Sequence, residues 1–158
     1  MNVVTARHVK YAQGYLGLGL FNEAADELEA IEAEDRFLPA VMAVRLELYW
    51  ESKQWQNVIR TARELVAADP GCERAWIGWA FALREVGQIA EAKAVLLEAE
   101  PRHGPNSALL QYNLGCYHCL LGELSEARSR LKQAFRMHPP FKDEAAEDPD
   151  LEALWAEL

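Results

Sequence analysis

The sequence predicts an all-α chain built from four stacked helix–turn–helix hairpins, and three observations lead to this prediction. The first is a repeated turn position at steps of 34, 34 and 35 residues, occupied by Gly19, Lys53, Gly87 and Gly122. The second is that apolar residues between these positions recur every three or four residues, as in amphipathic helices. The third is that a proline, which a helix interior does not tolerate, ends two of the repeats, at Pro70 and Pro139.

Bulk composition restricts the class of protein. The chain has 158 residues, 51% of them apolar and 26% charged, which suits one domain with a sizeable core. The formal net charge of −9 disfavours nucleic-acid binding, and apolar runs are too short for a membrane-spanning helix. The start of the chain has no basic region followed by an apolar one, so we expect a cytoplasmic protein. Three cysteines argue against a disulfide framework.

Each repeat is expected to form two antiparallel helices joined by a tight turn. Glycine between the two apolar stripes ends the first helix, because it takes a positive φ without steric cost. The sequences "DPG" at 69–71 and "HPP" at 138–140 end second helices. The four predicted repeats cover about residues 5–38, 39–72, 73–106 and 108–141, within an array of residues 1–142.

Columns of equivalent residues predict which faces are buried. A mostly small column in the first helices lets the two helices of a hairpin approach closely, and it consists of Ala12, Leu46, Ala80 and Gly115. A second column closes each repeat with Ile31, Leu65, Ala99 and Ala134. In repeat 4 one buried stripe is formed by Leu124, Ala127, Leu131 and Ala134. A single hairpin cannot bury both of its faces, so the repeats must stack.

This pattern resembles the tetratricopeptide repeat (TPR) over about residues 5 to 141. Repeat 4 matches it best, at Leu114-Gly115, Gly122, Ala127, Ala134 and Pro139. Three positions depart from it: Lys53 and Arg45 in repeat 2, and Arg36, which stands where a closing proline is usual. The resemblance implies a right-handed α-solenoid of four TPR hairpins plus a C-terminal capping helix, whereas it does not specify a function.

Residues 143–158 are expected to form an acidic linker and a short capping helix. Asp148 or Asp150 is a candidate N-cap, with Pro149 near the first turn. One apolar stripe is predicted from Leu151, Leu154, Trp155 and Leu158. The stripe suits a helix that covers the last repeat, and the alternative is a linear motif that docks onto another molecule.

Cys116 and Cys119 lie three residues apart in the first helix of repeat 4, with His118 beside them. Redox cysteines gain a low pKa at helix N-termini, and this pair lies well inside its helix. We therefore interpret the thiols as packing residues and His118 as an interior histidine, with metal or redox chemistry as the alternative. No cofactor and no metal are expected.

In TPR proteins the first helix of each hairpin lines a concave groove. The resemblance therefore implies a partner-binding groove made of Lys10, Gln13, Leu16, Val44, Glu47, Trp50, Arg74, Ile77, Phe81, Arg84, Tyr112, Asn113, Cys116 and Leu120. Large aromatic side chains exposed in a groove mark a binding surface. The alternative is that the C-terminal helix or neighbouring first helices cover these residues.

The function expected from these features is a non-catalytic protein–protein interaction module, an adaptor, scaffold or assembly factor that binds a peptide or a partner helix. Catalysis is not expected, since the sequence carries no glycine-rich phosphate loop and no recognisable catalytic set.

Two alternatives remain. One is a secretion-type TPR chaperone, which the acidic charge and small size fit. The other is a structural protein that self-associates or decorates a larger assembly such as a filament, because charge is unevenly distributed. Acidic residues make the second helix of repeat 1 strongly acidic, at Glu23, Asp26, Glu27, Glu29, Glu32, Glu34 and Asp35. Basic residues make the second helix of repeat 4 basic, at Arg128, Arg130, Lys132, Arg136 and Lys142.

Overall fold

The computed structural model describes residues 1–158, and its secondary structure is helical throughout, which confirms the predicted all-α fold class. The helices are α1 Val3–Gly17, α2 Phe21–Glu29, α3 Pro39–Glu51, α4 Trp55–Ala68, α5 Glu73–Glu85, α6 Ile89–His103, α7 Ala108–Leu120, α8 Leu124–Met137 and α9 Phe141–Ala145. Three 3-10 helices add Ala33–Asp35, Gly104–Asn106 and Pro149–Glu157. Contacts between α1 and α2, α3 and α4, and α7 and α8 form three of the predicted hairpins, and α5 and α6 follow one another in the place of the remaining one, with a further helix at the C-terminus. None of the helices is both long enough and apolar enough to span a bilayer.

The chain divides into two compact units, which we name the N-terminal unit (Met1–Ala82) and the C-terminal unit (Leu83–Leu158). In the N-terminal unit α1 packs on α2 and α3 on α4. Its core is formed by side chains at helical spacing, Val9, Ala12, Leu16, Ala24, Leu28, Ile31, Val41, Val44 and Leu48. In the C-terminal unit α7 packs on both α6 and α8.

All four first helices end in the same Schellman turn. The predicted turn residues have positive φ, at 72° for Gly19, 56° for Lys53, 85° for Gly87 and 77° for Gly122. In each turn the amide after this residue donates to a carbonyl five residues back, as from Gln54 N to Tyr49 O at 2.8 Å. The equivalence of Lys53 with three glycines is therefore confirmed at the level of backbone conformation.

The second helices end in different ways. The amides of Asp69 and His138 donate to carbonyls four residues earlier, each immediately before a proline sequence. Where repeat 1 lacks its closing proline, Arg36 donates from its guanidinium to the carbonyl oxygens of Ile31 at 2.9 Å and Glu29 at 3.0 Å. The arginine thus satisfies carbonyls that the end of α2 leaves free.

The C-terminal segment (residues 141–158) differs from the prediction in two respects. The expected linker begins with a short helix, α9, whose Ala145 is buried. The expected capping helix is a 3-10 helix rather than an α-helix, and Asp148 is its N-cap, accepting from the amide of Asp150 at 3.0 Å. With three residues per turn, Leu151 and Leu154 share one face and are buried.

The same geometry changes the predicted apolar stripe. An α-helix would place Trp155 beside Leu151, but the 3-10 helix rotates it away, and its side chain is 39% exposed. Leu158 is half-buried.

Candidate functional site

A cluster of three aromatic rings lies on the N-terminal unit, where α3, α4 and α5 each contribute one ring. The ring centroids of Trp50 and Phe81 are 4.6 Å apart, and Trp55 lies 5.8 Å from each of them. All three side chains are only partly buried. Edge and tilted contacts of this kind are favourable and hold the rings in fixed orientations. The cluster therefore presents a rigid, partly exposed aromatic surface.

Beside the cluster lie the backbone of α5 and two charged side chains. A Cβ at Gly78 would lie 3.7 Å from the Trp50 ring, so the indole rests directly against the α5 backbone. Glu47 and Arg74 approach each other at 3.8 Å, with 33% and 67% of their side chains exposed. Ile77 is half-buried on the same helix as Phe81. This surface offers apolar anchoring together with one acidic and one basic group.

The remaining predicted groove residues of the N-terminal unit fall into two classes. Lys10 and Gln13 are exposed on α1. Leu16 and Val44 are 7% and 3% exposed and belong to the hydrophobic core. Their side chains are therefore unavailable to a partner in this conformation, because they pack against the other helices of their own unit.

In the C-terminal unit two predicted groove residues, Tyr112 and Cys116, are covered by the C-terminal segment. The hydroxyl of Tyr112 donates to Asp148 Oδ2 at 2.8 Å, and the thiol of Cys116 lies 3.7 Å from the same oxygen. The ring of Phe141 lies 4.9 Å from that of Tyr112. Tyr112 is only 7% exposed as a result. The alternative that the C-terminal helix covers these residues therefore holds for Tyr112 and Cys116.

Arg84 forms a two-bonded ion pair with Asp150 of the same segment. Its Nε donates to Asp150 Oδ2 at 2.9 Å, and its Nη2 donates to Oδ1. The hydrogen bond to Asp150 raises the pKa of Arg84, and Glu85 adds an ion pair at 3.3 Å. Of the other predicted residues, Asn113 is half-buried and Leu120 is exposed.

The two thiols in α7 lie in surroundings that favour the neutral form. Burial, together with the charges of Asp148 and Asp150, raises the pKa of Cys116 well above its usual value. Burial also raises the pKa of Cys119. Since thiolates are the reactive form of cysteine, neither residue has the environment of a redox or nucleophilic cysteine.

The same region brings three potential metal ligands together. Cys116 Sγ and one carboxylate oxygen each of Asp148 and Asp150 lie within 4.8 Å of one another. Both carboxylates are already bound, by the hydroxyl of Tyr112 and the guanidinium of Arg84. This arrangement favours a hydrogen-bonded contact between segment and helix over a zinc site, which requires free ligands.

His118 is an interior histidine with an acidic partner. It is 6% exposed, and its Nδ1 lies 2.5 Å from Glu123 Oε2. Lys93 donates to Glu123 at 2.8 Å, and these hydrogen bonds lower the pKa of Glu123. The arrangement links α6, α7 and the turn before α8.

Sequence reasoning missed three residues of these surfaces. The predicted groove does not include Trp55, although this residue completes the aromatic cluster. The sequence predicts Asp148 and Asp150 only as candidate helix caps, although both bind side chains of the array. The available signal was the pattern Asp-x-Asp-Leu-x-x-Leu, in which two acidic residues lead into an apolar pair.

A further cavity of about 430 Å³ lies between α8 and the C-terminal 3-10 helix. Leu131, Phe135 and Leu154 supply apolar side chains to it. The basic residues around it are Arg128, Lys132, Arg136 and Lys142. Arg128 pairs with Glu157 at 2.5 Å, whereas the other three have no carboxylate partner.

Comparison with known proteins identifies the fold but not the function. No family model and no curated protein match the sequence. Among solved structures the chain is similar to MamA, with a TM-score of 0.78 and 15% identity over 88% of this chain and 81% of that one.

Two further solved structures have the same similarity. A MamA RS-1 ArsTM double mutant gives a TM-score of 0.77 at 13% identity, covering 86% of this chain and 76% of that one. PilW, described as a widely conserved type IV pilus biogenesis factor, gives 0.79 at 19% identity, covering 99% and 72%. At these identities the similarity shows a common fold, the TPR-type array of helical hairpins.

Proposed function

We propose that this chain, which has the fold of tetratricopeptide-repeat proteins, is a non-catalytic interaction module that binds a peptide segment or helix of another protein on the aromatic surface of its N-terminal unit. The observation that carries the proposal is the contact of Trp50, Trp55 and Phe81 at centroid distances of 4.6 to 5.8 Å, with all three rings partly exposed. Aromatic side chains of this kind supply most of the binding energy of many protein interfaces.

The surroundings indicate the chemistry of the partner. Trp50 and Phe81 offer flat apolar surface that is already ordered by ring contacts, so binding costs little side-chain entropy. Glu47 and Arg74 form only a loose, exposed ion pair at 3.8 Å, so each remains available to a group of opposite charge. An amphipathic segment with an apolar anchor and flanking charges fits this surface.

The test compares partner capture by the wild-type chain and by Trp50→Ala/Phe81→Ala. Proteins bound from a native cell extract are quantified by mass spectrometry, and helicity is checked by circular dichroism. Removal of both anchors is expected to lower capture of the specific partner by more than tenfold, since interface anchors each contribute about 2 kcal/mol or more.

A matched control uses an aromatic residue outside the cluster. Trp79 is also half-buried in the N-terminal unit, where its ring stacks on Trp76 at 6.0 Å. Trp79→Ala is expected to leave capture unchanged. Equal capture by wild type and the double variant, with helicity intact, would show that the partner does not bind on the aromatic surface.

A second candidate is self-association, which the charge distribution favours. Lys132, Arg136 and Lys142 have no carboxylate partner, whereas the acidic side chains of α2 and its end are mostly exposed. An acidic surface on one copy and a basic one on the next would make a head-to-tail contact. Sedimentation at low and high salt tests it, because salt screens such contacts. A monomer at low salt and all concentrations would exclude it.

The biological setting we favour is assembly of a larger structure. PilW, one protein of the same fold, is described as a pilus biogenesis factor, and this supports an assembly role. Binding of an unfolded export substrate would instead support a chaperone role. The identity of the captured protein decides between the two.

A further inference from the structure

The contact between the C-terminal segment and the C-terminal unit depends on particular side chains of the segment. Asp148 accepts from Tyr112, and Asp150 pairs with Arg84 through two hydrogen bonds. Leu151 and Leu154 are 0% and 1% exposed, so two apolar side chains anchor the contact. Two acidic groups and two leucines at fixed spacing are therefore recognised together.

The segment also holds its own shape by internal hydrogen bonds. Asp148 Oδ1 accepts from the amide of Asp150 at 3.0 Å, and the indole of Trp155 donates to the carbonyl of Asp148 at 3.1 Å. These bonds close the turn at residues 148–155 without help from the array. A segment that is ordered internally loses little entropy when it docks.

Several features distinguish this contact from a permanent cap. The docked element is a 3-10 helix, whose hydrogen-bond geometry is weaker than that of an α-helix. Trp155, its largest apolar side chain, is 39% exposed rather than buried against α7. The strongest contacts are charge-assisted, at Arg84 and Tyr112, and such contacts confer specificity on a docked peptide.

We infer that Arg84, Tyr112 and Cys116 form a docking surface for an acidic Asp-x-Asp-Leu-x-x-Leu segment of a partner protein, and that residues 148–158 occupy this surface in cis as a displaceable copy of that segment. The guanidinium of Arg84 binds the second aspartate through two parallel bonds. The hydroxyl of Tyr112 binds the first aspartate, and the two leucines insert beside α7.

This inference rests on the proposed function, protein binding, but it uses a different surface and different residues. The aromatic cluster around Trp50 and Phe81 belongs to the N-terminal unit, whereas Arg84 and Tyr112 belong to the C-terminal unit. Each of the two proposals can therefore be refuted without refuting the other.

Occupation in cis controls how strongly a partner binds. A tethered segment acts at a millimolar effective concentration, so a free peptide of the same sequence competes poorly with it. Weakening the tethered copy, with the docking surface left intact, is therefore expected to strengthen binding of a peptide added in trans.

The experiment measures fluorescence anisotropy of a labelled peptide with the sequence of residues 147–158. It is titrated with the full-length wild type and with full-length Asp148→Ala/Asp150→Ala. This variant lacks both carboxylates in its own tethered segment, whereas the peptide and the docking surface are unchanged. The variant is expected to bind the peptide roughly tenfold or more tightly than the wild type. Adding Trp50→Ala/Phe81→Ala to the variant is expected to change nothing, which separates this surface from the aromatic one.

Charge reversal tests the pairing directly. Adding Arg84→Glu to the weakened variant is expected to abolish peptide binding, and a peptide with lysine at its second aspartate is expected to restore it. Absence of peptide binding to the weakened variant would overturn the inference, as would loss of its cooperative unfolding, because the segment would then be part of the fold. Dimerisation of the weakened variant without peptide would assign the surface to a second copy instead.

Discussion

Gly115 on α7 and Leu131 on α8 pack so closely that a Cβ at residue 115 would lie 2.8 Å from both Cγ and Cδ2 of the leucine. Both residues are buried. The closest approach of the two helices in repeat 4 thus depends on the absence of a side chain at this position. The small-residue column predicted from the sequence has its physical reason in this contact.

Gly115→Ala is therefore expected to destabilise the protein by about 1–3 kcal/mol, because the added methyl group overpacks the α7–α8 contact. The control is Gly14→Ala in α1, where a Cβ would meet nothing within 4 Å. That change is expected to stabilise by about 0.5–1 kcal/mol, as alanine does in an open helix position. Chemical denaturation of both variants measures the difference, and a gain at residue 115 would contradict the packing argument.

Lys53 is the one turn residue that bears a side chain while holding a positive φ, of 56°. A left-handed conformation costs a non-glycine residue about 1–2 kcal/mol. Glycine avoids this cost, but part of the gain is offset because a glycine loses more backbone entropy when the chain folds. Lys53→Gly is expected to raise the free energy of unfolding by about 0.5–1 kcal/mol. At the equivalent Gly87, with φ 85°, alanine is expected to lower it by a similar amount. A loss of stability in Lys53→Gly would show that the lysine side chain contributes more than its strain costs.

Alkaline pH is expected to destabilise the C-terminal unit through two buried tyrosines. Burial raises the pKa of Tyr112 and of Tyr117 well above the ordinary value of about 10, and the hydrogen bond to Asp148 raises that of Tyr112 further. Above about pH 10 the unfolded chain releases these protons while the folded one retains them. Stability is therefore fully present below pH 10 and falls above it, by about 1.4 kcal/mol per pH unit for each group.

Phenylalanine substitutions separate the two tyrosines. The Tyr112 hydroxyl donates to Asp148, so Tyr112→Phe loses a charge-assisted bond worth about 1.5–3 kcal/mol. The Tyr117 hydroxyl is buried and bonds to no protein group, so Tyr117→Phe is expected to be neutral or stabilising. Denaturation measured from pH 8 to 11 gives the free energy of unfolding at each pH. In each variant its decrease above pH 10 is expected to lack the contribution of the substituted tyrosine. An unchanged slope in both would mean that other groups control the alkaline limb.

Thiol titration at pH 8 tests the role assigned to the cysteines. Cys72 is partly exposed, whereas Cys116 and Cys119 are 3% and 5% exposed and have raised pKa values. We expect one thiol to react rapidly with an aromatic disulfide reagent, and the other two only after unfolding. In Cys72→Ser the rapid phase is expected to vanish. Rapid reaction of two thiols, or stoichiometric zinc in the purified protein, would instead support metal or redox chemistry at Cys116 and Cys119.

Local features of the fold were predictable from the sequence. The turn position, including Lys53, follows from helix spacing within each repeat, and the residue at this position has a positive φ in all four repeats. The predicted column Ala12, Leu46, Ala80 and Gly115 is buried in all four repeats, as expected from the repeat alignment. These features depend on residues close together in the chain, so periodicity reveals them.

The candidate surfaces were predictable only in part. Trp50 and Phe81, both predicted to line the groove, are in contact, but Trp55 joins them, and Leu16 and Val44 lie in the core instead. Equivalence between repeats places a residue on a helix face. Whether that face is open depends on which side chains of other helices cover it, and periodicity contains no information about this.

What the sequence determined by itself is therefore the array: four hairpins, their turns and their buried columns, all encoded by contacts that repeat at short range. What only the tertiary structure decided is the conformation of the last residues and the contacts that they make. Arg84 and Asp150 are separated by 66 positions, yet they form an ion pair. The C-terminal segment adopts a 3-10 helix that buries Leu151 and Leu154 and leaves Trp155 exposed. The physical reason is that its conformation is selected by the side chains it docks against, which no local pattern specifies.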